Sequence, residues 1–113
     1  KAQLRFHVMK QNGTERPFTG EYDKHFESGI YNCAYCGIGL FNSDSKFDSG
    51  CGWPAFSNEL ENANIEQLID TSHGMKRIEV RCSNCDSHLG HLFHERRGPR
   101  YCINSICLDF QGE

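Results

Sequence analysis

Two short units constrain this chain more than anything else in it: Cys33-Ala-Tyr-Cys36 and Cys82-Ser-Asn-Cys85. Each Cys-x-x-Cys presents two sulfurs from one tight turn. Two such turns can close a tetrahedron around zinc. The pairs lie further apart than in a minimal zinc finger, so the metal would staple strands that are distant in sequence. Such a staple contributes folding free energy directly, because the unfolded chain has no preformed site. The alternatives are two local disulfides, or a dithiol redox centre of the thioredoxin kind. Local Cys-x-x-Cys disulfides are mostly catalytic, and two of them in one small chain have no evident use. Structural zinc on Cys33, Cys36, Cys82 and Cys85 is the expected outcome. Four sulfur ligands leave no open position for catalysis.

The count of seven cysteines is odd and does not suit a closed disulfide framework. It suits metal ligands mixed with free thiols, and therefore a reducing compartment, read here as the cytoplasm. A chain of 113 residues is enough for one domain with one modest core. We read 1–113 as that domain, with residues 1–13 as a linker or extension; the start at Lys1 rather than Met suggests a processed form or a piece of a longer chain. The net charge is −3 and the Lys and Arg are scattered, which argues against nucleic acid or an anionic membrane as the partner. No apolar run reaches the length of a membrane span.

Eleven glycines and short alternating segments favour a mainly β fold. GIYNC and GLF are strand candidates, and GMKRIEVRC is the clearest strand. In it Ile78, Val80 and Cys82 point one way and Arg77, Glu79 and Arg81 the other. NIEQLIDTS is ambiguous between strand and helix. FTGEYDKHFES is expected to hold a short helix capped by Thr19, although Gly20 weakens it.

RYCINSICLDF reads as a final strand and carries Cys102 and Cys107. Five extended residues separate their Cα atoms by on the order of 16 Å. A disulfide needs about 4.4–6.8 Å. Alternation then groups Arg100, Cys102 and Asn104 on one face, with a fixed cation that favours the Cys102 thiolate. Cys107 falls on the other face, as a buried small hydrophobe. Cys51, between Gly50 and Gly52, is either a mobile resolving thiol or an ordinary loop cysteine. In SHLGHLFHE, Gly90 permits a bend that brings His88 and His91 together as proton donors; His94 is read as structural. Trp53, the only tryptophan, is either a flat wall for a methyl group or a core anchor.

Taken together, FTGEYDKHFESGIYNCAYCGIGLF, KFDSGCGWPAF, RIEVRCSNCDSHLGHLF and RYCINS resemble the B-type methionine-R-sulfoxide reductase family in order and spacing, from about Thr14 to Phe110. The resemblance implies two antiparallel β-sheets stapled by one structural zinc. It implies reduction of methionine-R-sulfoxide, free or in proteins. Cys102 would be the nucleophile and Cys51 the resolving thiol, joined as a disulfide that thioredoxin reduces. His88, His91 and Asn104 would serve the sulfoxide, and Trp53, Phe93 and Arg100 would shape its pocket. The enzyme is taken as a monomer. The chain departs from the family in HERRGPRYC, which is short and rich in arginine, and in Cys107, where many members have a small residue.

Overall fold

The computed structural model describes residues 2–60 and 64–113. Lys1, from which the origin of the chain was read, lies outside them. Among the described residues one α-helix, α1 (Ala2–Gln11), precedes nine strands: β1 (Gly29–Cys33), β2 (Gly39–Asn42), β3 (Lys46–Phe47), β4 (Ala55–Phe56), β5 (Ile65–Asp70), β6 (Arg77–Cys82), β7 (His88–Glu95), β8 (Gly98–Ile103) and β9 (Leu108–Gly112). They build two antiparallel sheets, ordered β2-β1-β9 and β3-β4-β8-β7-β6-β5. The mainly β, two-sheet architecture expected from the sequence is the one observed.

The core lies between the sheets. Phe41 of β2 stacks on Phe56 of β4 at 4.3 Å, and Tyr31 of β1 meets Phe56 edge-on at 5.2 Å. Burying each such side chain stabilises the fold by about 1.5–3 kcal/mol. The β6 alternation holds in part: Val80 and Cys82 are buried. The opposite face does not look at water, however. Glu79 is only 8 % exposed, and with Arg77 it lines the polar chamber described below. NIEQLIDTS resolves as β5, paired with β6 along its whole length.

Two expectations are corrected. The helix is not at FTGEYDKHFES, where the chain runs in turns, but at Ala2–Gln11. Thr19 donates to the Arg16 carbonyl at 2.6 Å instead of capping a helix, and the Tyr22 N–H is taken by the Ser105 hydroxyl at 2.9 Å. A Cβ at Gly20 would collide with Ser105, so the chain turns there to pack closely. Tertiary partners outbid local helix bonds. The helix that does form lies in the 1–13 stretch and places Val8 and Met9 in the core.

The second correction concerns RYCINSICLDF, which is not one strand. A 3-10 turn at Ser105–Cys107 breaks it into β8 and β9. The buried Glu15 carboxylate accepts the Ser105 and Ile106 amides at 2.8 and 2.9 Å, and this bends the chain away from the ladder. The strand spacing used to separate Cys102 from Cys107 therefore does not apply. Cys107 is nevertheless fully buried, with its thiol donating to the His88 carbonyl at 3.3 Å.

Candidate active site and metal centre

The two Cys-x-x-Cys turns are built alike. Cys33 ends β1 and Cys82 ends β6. In each turn the fifth residue closes back on the first: Gly37 N–H to Cys33 C=O and Asp86 N–H to Cys82 C=O, both at 2.8 Å. Both closing residues have positive φ, 85° at Gly37 and 65° at Asp86. Glycine and aspartate tolerate that conformation better than most residues.

The four sulfurs lie within 4.8 Å of one another. Cys33 and Cys85 are 3.7 Å apart, and Cys36 and Cys82 are 3.6 Å apart. All four cysteines are free, and these distances are far longer than a disulfide bond of about 2.05 Å. They match the edge of a sulfur tetrahedron around zinc, about 3.8 Å for Zn–S bonds of about 2.3 Å. Burial pushes the Cys33 and Cys82 thiols up, Cys82 to about 11, so several thiolates coexist there only beside a cation. The donor set fits zinc, and it spans the two sheets.

The remaining reactive thiols meet elsewhere. Cys51 and Cys102 face each other at 3.4 Å between sulfurs, both as free thiols. Positive φ at Gly50 (75°) and Gly52 (94°) lets the loop carry Cys51 up to β8. The hydrogen bond from Cys102 holds Cys51 down at about 5, while the same bond, burial and the Cys51 charge push Cys102 up. The pair thus carries one negative charge near neutral pH. Arg100 stabilises that charge on either sulfur and hydrogen-bonds Cys102. Cys102 becomes the thiolate, beside Arg100, when its proton passes across this contact to Cys51.

The sulfurs open into a cleft of about 220 Å³, lined also by Trp53, His91, Phe93, Arg100 and Asn104. Trp53 is half-buried, its indole N–H donating to the Glu15 carbonyl at 3.0 Å. The Arg100 guanidinium lies over the Phe93 ring at 4.6 Å and pairs with Glu95 at 3.2 Å. Asn104 is buried: its Oδ1 accepts from the Glu15 N–H at 3.0 Å, and its Nδ2 donates to the Leu89 carbonyl at 2.9 Å. One Nδ2 hydrogen remains for the cleft.

His88 and His91 converge, with ring centroids 5.6 Å apart. Residues three apart in a regular strand would splay. A register shift in the β6–β7 ladder between Val80 and Arg81 brings them to one face. Gly90 is required between them, because a Cβ there would strike the Cys102 carbonyl oxygen. The two rings differ in access. His91 lines the cleft, whereas His88 is 3 % exposed and lines an adjoining polar chamber of about 190 Å³. Each ring meets a carboxylate: His88 Nδ1 lies 2.8 Å from Glu79, and His91 Nε2 lies 2.7 Å from Asp70. His94 is exposed.

The sequence reading missed Thr14, Glu15, Asp70, Arg77 and Glu79. Thr14 and Arg77 line the cleft. The charged face of β6 was the available signal for Arg77 and Glu79; nothing local marked Glu15.

A two-sheet β domain with a four-sulfur staple and a facing pair of thiols in a small cleft defines a thiol-dependent oxidoreductase. A family model described as the SelR domain matches residues 2–112. A Chromohalobacter salexigens protein, "Peptide methionine sulfoxide reductase MsrB", is 56% identical over 109 residues, covering 93% of this chain and 82% of that protein. A Caenorhabditis elegans protein, "Probable methionine-R-sulfoxide reductase B", is 54% identical over 111 residues, covering 94% and 73%. Among solved structures, the Mis18 "Yippee-like" domain superposes with a TM-score of 0.61 over 77% of this chain and 98% of that one, at 15% identity. At that identity the likeness concerns the fold alone. The chain belongs to the SelR domain family.

Proposed function

We propose that this chain reduces methionine-R-sulfoxide, free or in proteins, to methionine. The observation that carries the reading is the 3.4 Å approach of Cys51 and Cys102 in a cleft that also holds Trp53 and His91. The names borne by its relatives support the substrate.

The Cys102 thiolate attacks the sulfoxide sulfur while His91 delivers a proton to the oxygen. Methionine leaves as the sulfide, and the oxygen stays on Cys102 as a sulfenic acid. The Cys51 thiol attacks that sulfur; a disulfide forms and the oxygen departs as water. An external dithiol, thioredoxin, exchanges with the bridge and restores both thiols. Trp53 and Phe93 receive the methyl side, and Arg100 and Asn104 steady the polar side. Sorting methyl, oxygen and lone pair to different walls selects one epimer at sulfur. Zinc held by Cys33, Cys36, Cys82 and Cys85 supplies folding energy and no catalytic step.

The chain acts as one domain and as a monomer. Among the described residues no helix is long and apolar enough to cross a membrane. The need for free thiols suits the cytoplasm.

One assay tests the reading. The zinc-loaded protein is mixed with the R or S epimer of a methionine sulfoxide derivative and dithiothreitol. Turnover of R alone is expected, with none in Cys102→Ser. Turnover of neither epimer by the wild type overturns the reading.

A further inference from the structure

We infer that Asp70 is a positioning residue for this reaction, fixing His91 as the histidine that serves the sulfoxide oxygen. The inference rests on the activity proposed above.

Asp70 ends β5 and stands opposite Arg77 in the β5–β6 register. Both carboxylate oxygens are held. Oδ1 accepts the Ser72 N–H at 2.9 Å. Oδ2 accepts from Arg77 at 3.3 Å and lies 2.7 Å from His91 Nε2. The His91 hydrogen bond and the Ser72 amide hold this carboxyl well below the usual range, so it is ionised. An ionised carboxylate only accepts, and the proton of this bond therefore sits on Nε2. The ring is fixed in one orientation and one tautomer when neutral, with Nδ1 left for other partners. When charged, it faces an anion.

Other groups face His91 too. Glu79 and Arg77 approach from β6, His88 lies on its own strand, Arg100 and Cys102 lie on β8, and Cys51 lies on the preceding loop. The two arginines oppose a positive ring, while Glu79 is engaged by His88 and Arg81 at 2.8 Å each. Asp70 is the carboxylate that bonds His91 itself. His88 has a comparable partner but lies behind His91, and burial pushes it toward its neutral form. In the reaction the imidazolium of His91 gives its Nδ1 proton to the sulfoxide oxygen, keeps its Nε2 proton in the bond to Asp70, and is reprotonated from solvent. Asp70 stays ionised throughout and touches no reacting atom.

The test uses the zinc-loaded full chain with dithiothreitol as reductant, comparing wild type, Asp70→Asn and Asp70→Glu. In Asp70→Asn we expect kcat at neutral pH to fall about 10- to 100-fold, part of the full general-acid effect. KM should stay within about twofold, because the substrate-binding walls are untouched. Asp70→Glu, which keeps the carboxylate, should recover part of the loss in kcat. An unchanged kcat in a folded, zinc-loaded Asp70→Asn, or a loss that falls on KM instead, overturns the inference. Should that variant fail to fold, nitrogen NMR of the wild type decides. His91 must hold its Nε2 proton when neutral, and a ring exchanging between tautomers overturns the assignment. An inactive wild type instead overturns the functional reading.

Discussion

The backbone N–H of Glu15 donates to the side-chain oxygen of Asn104 at 3.0 Å, across 89 positions of sequence. The same residue's carbonyl takes the Trp53 indole, and its carboxylate takes the Ser105 and Ile106 amides. One residue thus ties together two walls of the cleft and the turn behind them. Glu15→Ala should destabilise the protein by about 2–4 kcal/mol, since two buried amides lose their acceptor. Denaturation midpoints check this, and an unchanged midpoint would show that the Glu15 carboxylate does not hold the turn.

Gly90→Ala should push the Cys102 backbone away, because the added Cβ meets its carbonyl oxygen. A cost of about 1–3 kcal/mol is expected for the forced backbone shift. kcat should fall as the Cys51–Cys102 approach lengthens. A fully active, equally stable variant would contradict the close packing of β7 on β8.

Cys51→Ser should keep activity with dithiothreitol and lose most of it with thioredoxin. One equivalent of substrate should remove two free thiols in the wild type but one in this variant. Equal thioredoxin-dependent rates would exclude Cys51 as the resolving thiol. Fully buried Cys107 would not then be the natural substitute without movement of the 3-10 turn.

Zinc analysis should find one metal per chain, and a strong chelator should unfold the domain, since the four sulfurs join the two sheets. Cys82→Ser should show the same loss without chelator. A folded, metal-free protein would refute the staple.

Lys46 gives a pH signature. Burial pushes its ammonium down to about 8 from 10.5, with Nζ donating to the Asp23 carbonyl at 3.0 Å and lying 4.0 Å over the Phe26 ring. The folded state releases this proton before the unfolded state does, so the residue adds stability as pH rises through that window. The stability of Lys46→Met relative to wild type should therefore decline between pH 8 and pH 10.5. The decline should be about 1–3 kcal/mol. A flat difference across that window in urea unfolding would show that Lys46 does not titrate abnormally.

Local chemistry was legible in the residues alone. The four cysteines able to hold a metal announce themselves because each pair needs only a tight turn, and the β6 strand shows in its alternation of Ile78, Val80 and Cys82. Helix α1 was not legible, since only Val8 and Met9 bury and the rest of the helix is polar or exposed. The break after Ile103 was equally hidden, because the carboxylate that holds its amides belongs to Glu15, at the other end of the chain. His88 and His91 were legible as a pair, but their separate roles depend on which one opens into the cleft.

By itself the sequence determined the sulfur chemistry: which cysteines can share a metal, and which remain free to react. Ligand type and spacing along the chain suffice for that. Only the tertiary structure decided which free thiols meet, which histidine reaches them and which carboxylate stands behind it. Those relations join residues tens of positions apart, and sheet register, a bulge and a buried carboxylate set them.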